Sequence, residues 1–418
     1  MKMHKKPSTL FKHQQRLLDE FPVRHLLAWE PGTGKSRAFI ELAEKVGKHS
    51  LVICPKGLKS NWRKQIEMYS DRPDTYHVMS KEEFKRDWEK LGYYPVIGVD
   101  ESHHLVGMKS QISRAFLSYM KQWRGGIVGV VRVYFMTGTP YRSSPWDIYR
   151  TYELLGKRLD WWSFKNEFFT TFKMGKREIP VIRKGKEEDI AELIRGIGST
   201  VKMADCVDVP DQTFDAEYFE LNRKQKTAVK AIMEPLALVR MTKEHQICGG
   251  TLKGNEYEPD QRIECDKFDR LMELADTNDR MIVVCRYNLE IEAIRDGLKG
   301  KRDDVYIING DVPGDERHAI VERTNTDEKY VLLVNASCSE GWEAPTCPLM
   351  VFYSYDYSLV NYVQMIARIQ RINNIKKNVY LSLVVKDTVD ERVFETVTVK
   401  KMDFQVQIYD RSEVSDSV

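Results

Sequence analysis

Short apolar runs of strand length alternate along this chain with stretches of helical spacing. Leu26-Leu27-Ala28 closes the first run, and Arg37 to Lys45 carries apolar residues at the spacing of an amphipathic helix. Ser50 to Cys54 is a second run, ending at Pro55, after which Lys56 to Trp62 opens a new helix. Pro95 to Asp100 and Val131 to Met136 repeat the theme. Past residue 220 a helix over Leu221 to Met233 is followed by strands at Met281 to Arg286, Val305 to Asn309 and Val331 to Asn335. Strands alternating with helices predict an α/β chain with parallel sheets. Between about 155 and 200 the pattern is less regular: Trp161, Trp162, Phe164, Phe168 and Phe169 precede a basic stretch, Lys173 to Lys186, interrupted by Gly175, Pro180 and Gly185. That composition suits a small hairpin that either touches nucleic acid through its aromatics and cations or packs as a hydrophobic bridge on the first domain.

Length turns this pattern into two domains, because 418 residues exceed what one core usually holds. We expect a first domain over 1–205, including the aromatic and basic excursion, and a second over 206–418. The linker is expected around Met203 to Asp215, where Val209-Pro210-Asp211 breaks the periodicity. With 42% hydrophobic and 30% charged residues the chain is globular rather than disordered. The most apolar run, Ile127 to Met136, is too short for a bilayer and contains Arg132, and the basic start lacks the apolar stretch of a secretory signal. Seven scattered cysteines without a Cys-x-x-Cys pair read as reduced thiols of a cytoplasmic protein. A net charge of +3 neither requires nor excludes a nucleic-acid partner, since a basic groove can be local.

The candidate chemistry begins at Trp29 to Arg37, Trp-Glu-Pro-Gly-Thr-Gly-Lys-Ser-Arg, set between a strand and a helix. In that context Gly32 and Gly34 allow close backbone approach to phosphate, Thr33 between them joins the nucleotide-binding loop, Lys35 reaches the β/γ-phosphates and Ser36 ligates Mg²⁺. Trp29 stands where the strict pattern has glycine, so only the second half matches. A strand that ends in Asp100-Glu101 places two carboxylates side by side, an arrangement that needs a cation or solvent. With the loop upstream, Asp100 is the acid on the Mg²⁺ side and Glu101 the one that orients or deprotonates water. Thr137-Gly138-Thr139-Pro140, at another strand end, can sense a γ-phosphate or form a plain turn. Gln14 could pair with the edges of adenine. Lys56, Lys59 and Ser60 could meet a nucleic-acid phosphate or form a solvated turn. Gln364, Arg368 and Arg371 are four and three residues apart, so a helix there presents an amide and two guanidiniums on one face.

Gln14, the loop at Lys35, Asp100-Glu101-Ser102-His103 and Thr137-Gly-Thr-Pro occur in the order and spacing of motifs Q, I, II and III of the superfamily-two helicases, a group related to the DEAD/DEAH-box proteins. They resemble its SWI/SNF-like branch in particular. Leu51 to Trp62 is similar to motif Ia of that branch, Met241 to Gly250 to the segment before its second motor domain, Ser337 to Ala344 to motif V and Gln364 to Arg371 to motif VI. The stretch from Asp387 to Arg392 resembles the start of its closing helix. The resemblance implies two tandem RecA-like parallel-sheet domains with an inter-domain cleft for ATP and Mg²⁺. It further implies arginine fingers at Arg368 and Arg371, with Gln364 beside the nucleotide, and coupling through His103, Thr137 and Thr139. Nucleic-acid grips are implied at Lys56 and Ser60 in the first domain and at Arg286 and Ser337 in the second.

The implied activity is ATP-driven movement on duplex, forked or branched DNA (unwinding, branch migration or remodelling) by a monomer in a bacterial or phage-infected cytoplasm. Gly341-Trp342-Glu343-Ala344 departs from the usual Gly-Leu-Asn-Leu of motif V, and Ser102 from the usual alanine of motif II. The motor is expected to fill nearly the whole chain, as in a compact phage or bacterial enzyme. An RNA helicase and a non-motor nucleotide switch are the alternatives.

Overall fold

A computed structural model describes residues 9–107, 110–123, 130–142, 144–174, 177–206, 212–370, 377–402 and 408–409. It divides into two units, 1–208 with 403–418 and 209–402. Both are α/β, and together they are the two RecA-like parallel-sheet domains that the sequence implies.

The first sheet has six parallel strands in the order Tyr76–Ser80, Ser50–Cys54, Val96–Asp100, Arg132–Thr137, Arg24–Trp29, Gly198–Val201. The middle strands are buried on both faces, which is why they read as continuous apolar runs rather than as alternation. Register aligns their carboxyl ends: Ala28 lies beside Thr137 and Asp100 beside Met136. Ligands of open parallel sheets collect at such ends. The helix Lys35–Val46 packs onto this sheet through Ala38, Phe39, Ile40, Leu42 and Ala43, all buried. Phe39 fits only because Gly98 has no side chain, since a Cβ there would come within 2.6 Å of the Phe39 ring.

The irregular region holds the helix Trp161–Phe168 and an antiparallel hairpin, Phe169–Met174 with Arg177–Ile182. Its aromatics serve the core. Trp161 stacks on Trp146 with centroids 3.9 Å apart, and Phe164, Phe168 and Phe169 are buried, leaving Trp162 facing solvent. Packing on the first unit is thus the role of Trp161, Phe164, Phe168 and Phe169.

The second sheet is also six-stranded and parallel, in the order Val305–Ile308, Tyr330–Asn335, Arg280–Cys285, Leu349–Phe352, Asn378–Val385, Gln212–Phe219. Gln212–Phe219 falls where the linker was expected to continue to Asp215, because its eight residues pair with Asn378–Val385 along their whole length. Of the residues expected to close the second domain, Ile408 and Tyr409 belong to the first unit. There Ile408 is fully buried in the core, and the Tyr409 hydroxyl donates to the Gly138 carbonyl at 2.8 Å. No helix among the described residues is long and apolar enough to cross a membrane.

Candidate functional site

The strand Arg24–Trp29 delivers the chain to the glycine-rich loop. Trp29 is its last residue, 1% exposed, and its indole N–H donates to Ser199 Oγ at 2.9 Å. The tryptophan that departs from the loop pattern is therefore a core anchor, and the loop proper starts after it. Gly32 and Gly34 have φ of 86° and 82°, the left-handed region in which glycine is favoured. Gly34 is the N-cap of helix Lys35–Val46 and has no side chain to cap it, so the amides of the first turn are left for an anion. A Cβ at Gly34 would stand 2.4 Å from the Gln14 amide nitrogen. This side-chain-free cradle fits the phosphates of a nucleotide.

Around the cradle, Lys35 Nζ donates to the carbonyls of Trp29 at 2.8 Å and Glu30 at 3.1 Å. Ser36 opens the helix, half-buried. Thr33 is buried with its hydroxyl on the Glu30 carbonyl, which makes it a brace of the turn. Gln14 is also buried, donating to the Gly34 carbonyl and accepting from the Phe11 amide, both at 2.9 Å, so its side chain spans the loop and the first helix. His13 was passed over in the sequence. Its Nε2 lies 2.9 Å from the Thr33 carbonyl, its ring meets Trp29 edge-on, and burial pushes its pKa down.

At the neighbouring strand end, Asp100 accepts from the Glu101 amide on Oδ1 at 3.0 Å and from the Trp62 indole on Oδ2 at 2.8 Å. Burial, then the charge of Glu101, pushes the Asp100 pKa up. Burial acts on Glu101 in the same sense, but the hydrogen bond and charge of His103, with the charges of Lys35 and Lys81, hold it below the usual carboxylate range. Glu101 adopts φ 45°, unusual for a residue with a side chain, in the turn that carries it past the strand end. His103 Nδ1 is 3.2 Å from Glu101 Oε2, 3.0 Å from Thr137 Oγ1 and 3.4 Å from Thr139 Oγ1, and the Thr139 amide donates back to Thr137 Oγ1. The three residues expected to couple the site thus meet at one imidazole nitrogen. The Lys35 charge acts on both acids, so loop and carboxylates form one electrostatic site that suits Mg²⁺ with a nucleotide.

Lys56 and Ser60 are exposed on the turn and helix that follow Ser50–Cys54, whereas Lys59 is held by both oxygens of Glu83. In the second unit Arg286 follows the strand Arg280–Cys285. Its guanidinium lies 3.2 Å from His245 Nδ1 and over the Tyr287 and Tyr357 rings. Ser337 is exposed, with its hydroxyl on Asn335 Oδ1. Gln364 is buried, accepting from Ser339 Oγ at 2.8 Å and donating to Glu340.

Gln364 and Arg368 do not share the helical face expected for them, because the helix Leu359–Ile366 stops before Arg368. The Arg368 amide bonds back to Met365, the Arg368 carbonyl accepts from Ala344, and the Ile369 carbonyl accepts from the Asn378 side chain. These tertiary bonds take the carbonyls a continuing helix would use. The Arg368 guanidinium donates to the Gln364 and Trp342 carbonyls, both at 3.0 Å. Arg371 lies outside the described residues.

Comparison with known proteins finds a helicase conserved C-terminal domain over residues 266–373. A mouse (Mus musculus) chromodomain-helicase-DNA-binding protein 1-like is 20% identical over 404 residues, covering 84% of this chain and 43% of that protein. A Caenorhabditis elegans homologue of the SWI/SNF-related matrix-associated actin-dependent regulator of chromatin subfamily A-like protein 1 is 23% identical over 437 residues, covering 92% and 59%. An ATP-dependent RNA helicase FAL1 of Scheffersomyces stipitis is 26% identical over 209 residues, covering 49% and 48%. The chain thus spans about half the length of these curated relatives. Among solved structures, the Sulfolobus solfataricus SWI2/SNF2 ATPase core in complex with dsDNA aligns over 98% of this chain and 95% of its own, at 18% identity and a TM-score of 0.43.

Proposed function

We propose that this chain, which belongs to the SWI/SNF-like branch of the superfamily-two helicases, is an ATP-hydrolysing motor that moves on duplex or branched DNA. The observation that carries the reading is the cluster in the first unit: a phosphate cradle with Lys35, the acids Asp100 and Glu101, and the His103 link from Glu101 to Thr137 and Thr139. Bound Mg²⁺·ATP supplies a γ-phosphoryl group for transfer to water. The leading amides of helix Lys35–Val46 and Lys35 would hold its phosphates, and Ser36 and Asp100 would hold the metal, which would supply positive charge against the phosphate oxygens. Glu101, kept ionised beside His103, orients the attacking water and takes its proton. Arg368 and Arg371 are assigned to the charge that develops on the transferred group, where an arginine is worth on the order of 10³–10⁵ in rate. Lys56, Ser60, Arg286 and Ser337 are assigned to the nucleic-acid backbone, which gives little sequence preference.

DNA is preferred to RNA because the SWI/SNF-related and chromodomain-helicase relatives align over most of this chain, and the RNA helicase over about half. The deciding experiment compares ATP turnover with duplex DNA, forked DNA, four-way junctions and RNA, with Lys35→Ala as the inactive control. Stimulation by RNA alone would overturn the DNA assignment. An Arg371→Ala variant that folds and hydrolyses ATP at the full rate would favour a nucleotide switch over a motor.

A further inference from the structure

The helix Lys59–Tyr69 presents Ser60 to solvent and, two residues on, turns Trp62 inward, as the 100° step between helical residues requires. Trp62 is 2% exposed, and its indole N–H meets Asp100 Oδ2 at 2.8 Å. Its ring also meets Phe39 edge-on, with centroids 5.9 Å apart and an interplanar angle of 81°. Phe39 belongs to the helix that starts at Lys35, and it sits on Gly98 in the strand that ends at Asp100. A single side chain on the Ser60 helix thus touches both the phosphate-loop helix and the acid assigned to the metal.

The chemistry of the contact separates it from plain packing. Indole nitrogen is a donor only, so the bond runs in one direction, toward a carboxylate oxygen that keeps its remaining lone pair for another partner. The Glu101 amide occupies Oδ1 in the same way. With one donor on each oxygen, the plane of the Asp100 carboxylate is fixed. A phenylalanine would fill most of the same space but would leave Oδ2 without this partner.

We propose that Trp62 is a positioning residue: its indole N–H sets the Asp100 carboxylate for Mg²⁺, and its helix ties that carboxylate to the surface where Lys56 and Ser60 meet nucleic acid. The inference rests on the roles given above to Asp100 and to the Lys56–Ser60 surface. Occupation of that surface shifts the helix, the helix shifts the indole, and the metal affinity of the nucleotide site changes.

The test uses the full chain and binding rather than turnover. Binding of fluorescent ADP is measured with and without Mg²⁺, and with and without duplex DNA, for wild type and Trp62→Phe. Loss of one charge-assisted hydrogen bond to the metal-side acid is expected to raise the Mg²⁺ half-saturation roughly 5–10-fold, with metal-free ADP affinity within about twofold of wild type. The change that DNA brings to Mg²⁺·ADP affinity should vanish in the variant, while DNA affinity without nucleotide stays the same. A folded Trp62→Phe protein with an unaltered Mg²⁺ midpoint and an unaltered DNA effect overturns the positioning role alone. A wild-type protein whose ADP binding ignores Mg²⁺ overturns the site assignment on which it stands.

Should Trp62→Phe not fold, the wild type carries the test through its eight tryptophan indole N–H signals, labelled with ¹⁵N. The signal most broadened by Mn²⁺·ADP should also shift when duplex DNA is added without nucleotide. If no indole signal responds to both ligands, the proposal falls.

Discussion

Gly34 combines a left-handed backbone with the Gln14 amide nitrogen 2.4 Å from where a Cβ would stand, so any side chain there must displace Gln14 as well as strain the turn. Gly34→Ala is therefore expected to weaken nucleotide binding by at least tenfold while lowering stability by only about 1–2 kcal/mol, because the affected segment is a loop. Nucleotide titration beside a urea melt separates the two effects. His25 behaves differently. Burial lowers its pKa to about 4, against 6.5 when unfolded, so the folded state stays neutral while the unfolded chain takes up a proton. The sign follows: the first unit loses stability as pH falls from about 6.5 toward 4, by about 1–2 kcal/mol between pH 7 and 5. His25→Gln should remove that limb in urea unfolding at the two pH values.

The residues legible in the sequence, Lys35, Asp100, Glu101 and the threonines, sit at loop and strand ends where residue type and spacing carry the chemistry. Trp62 and His13 were not legible as parts of the site. A buried donor looks the same in a sequence whether it meets a carboxylate or only fills space.

Among elements, most strands legible in the sequence are buried on both faces; the exceptions are Val305–Ile308, a half-buried edge strand legible from its apolar run, and Asn378–Val385, a buried strand that was not. Gln212–Phe219 was missed because it is an edge strand of mixed polarity, with Phe214 and Tyr218 about half exposed and only one neighbour. Leu349–Phe352 is four residues long, too short a run to stand out among Pro, Cys and Tyr neighbours. The helix read through Arg371 stops at Ile366 through bonds from distant residues, which local periodicity does not encode. Equally hidden was the ion cluster beneath the second sheet. Asp390 accepts from Lys267 Nζ at 2.8 Å, from His245 Nε2 at 3.0 Å and from the Val385 amide at 2.9 Å, all three side chains being about 1% exposed. Burial alone would raise the Asp390 pKa, but Lys267 and His245 bring it down to about 2. Asp390→Asn leaves Lys267 buried without a counter-charge and is expected to cost the second unit about 3–5 kcal/mol, measured by chemical denaturation.

For the whole molecule, the two-domain plan was legible from alternation and length. The return of Ile408 and Tyr409 to the first unit was not, since nothing local in either residue marks the core they join. A chain ended after Met402 loses two buried side chains and the Tyr409 bond to Gly138, the glycine of Thr137-Gly-Thr-Pro. The first unit should then unfold about 2–5 kcal/mol more easily, with the second unit unchanged, as two resolved transitions in a denaturant titration would report. Topologically, the second unit is an insertion carried in the sequence of the first. Under mechanical load the covalent path matters more than stability does: tension applied between residues 9 and 409 enters and leaves through the first unit. The second unit is shielded as a slack loop until the first gives way.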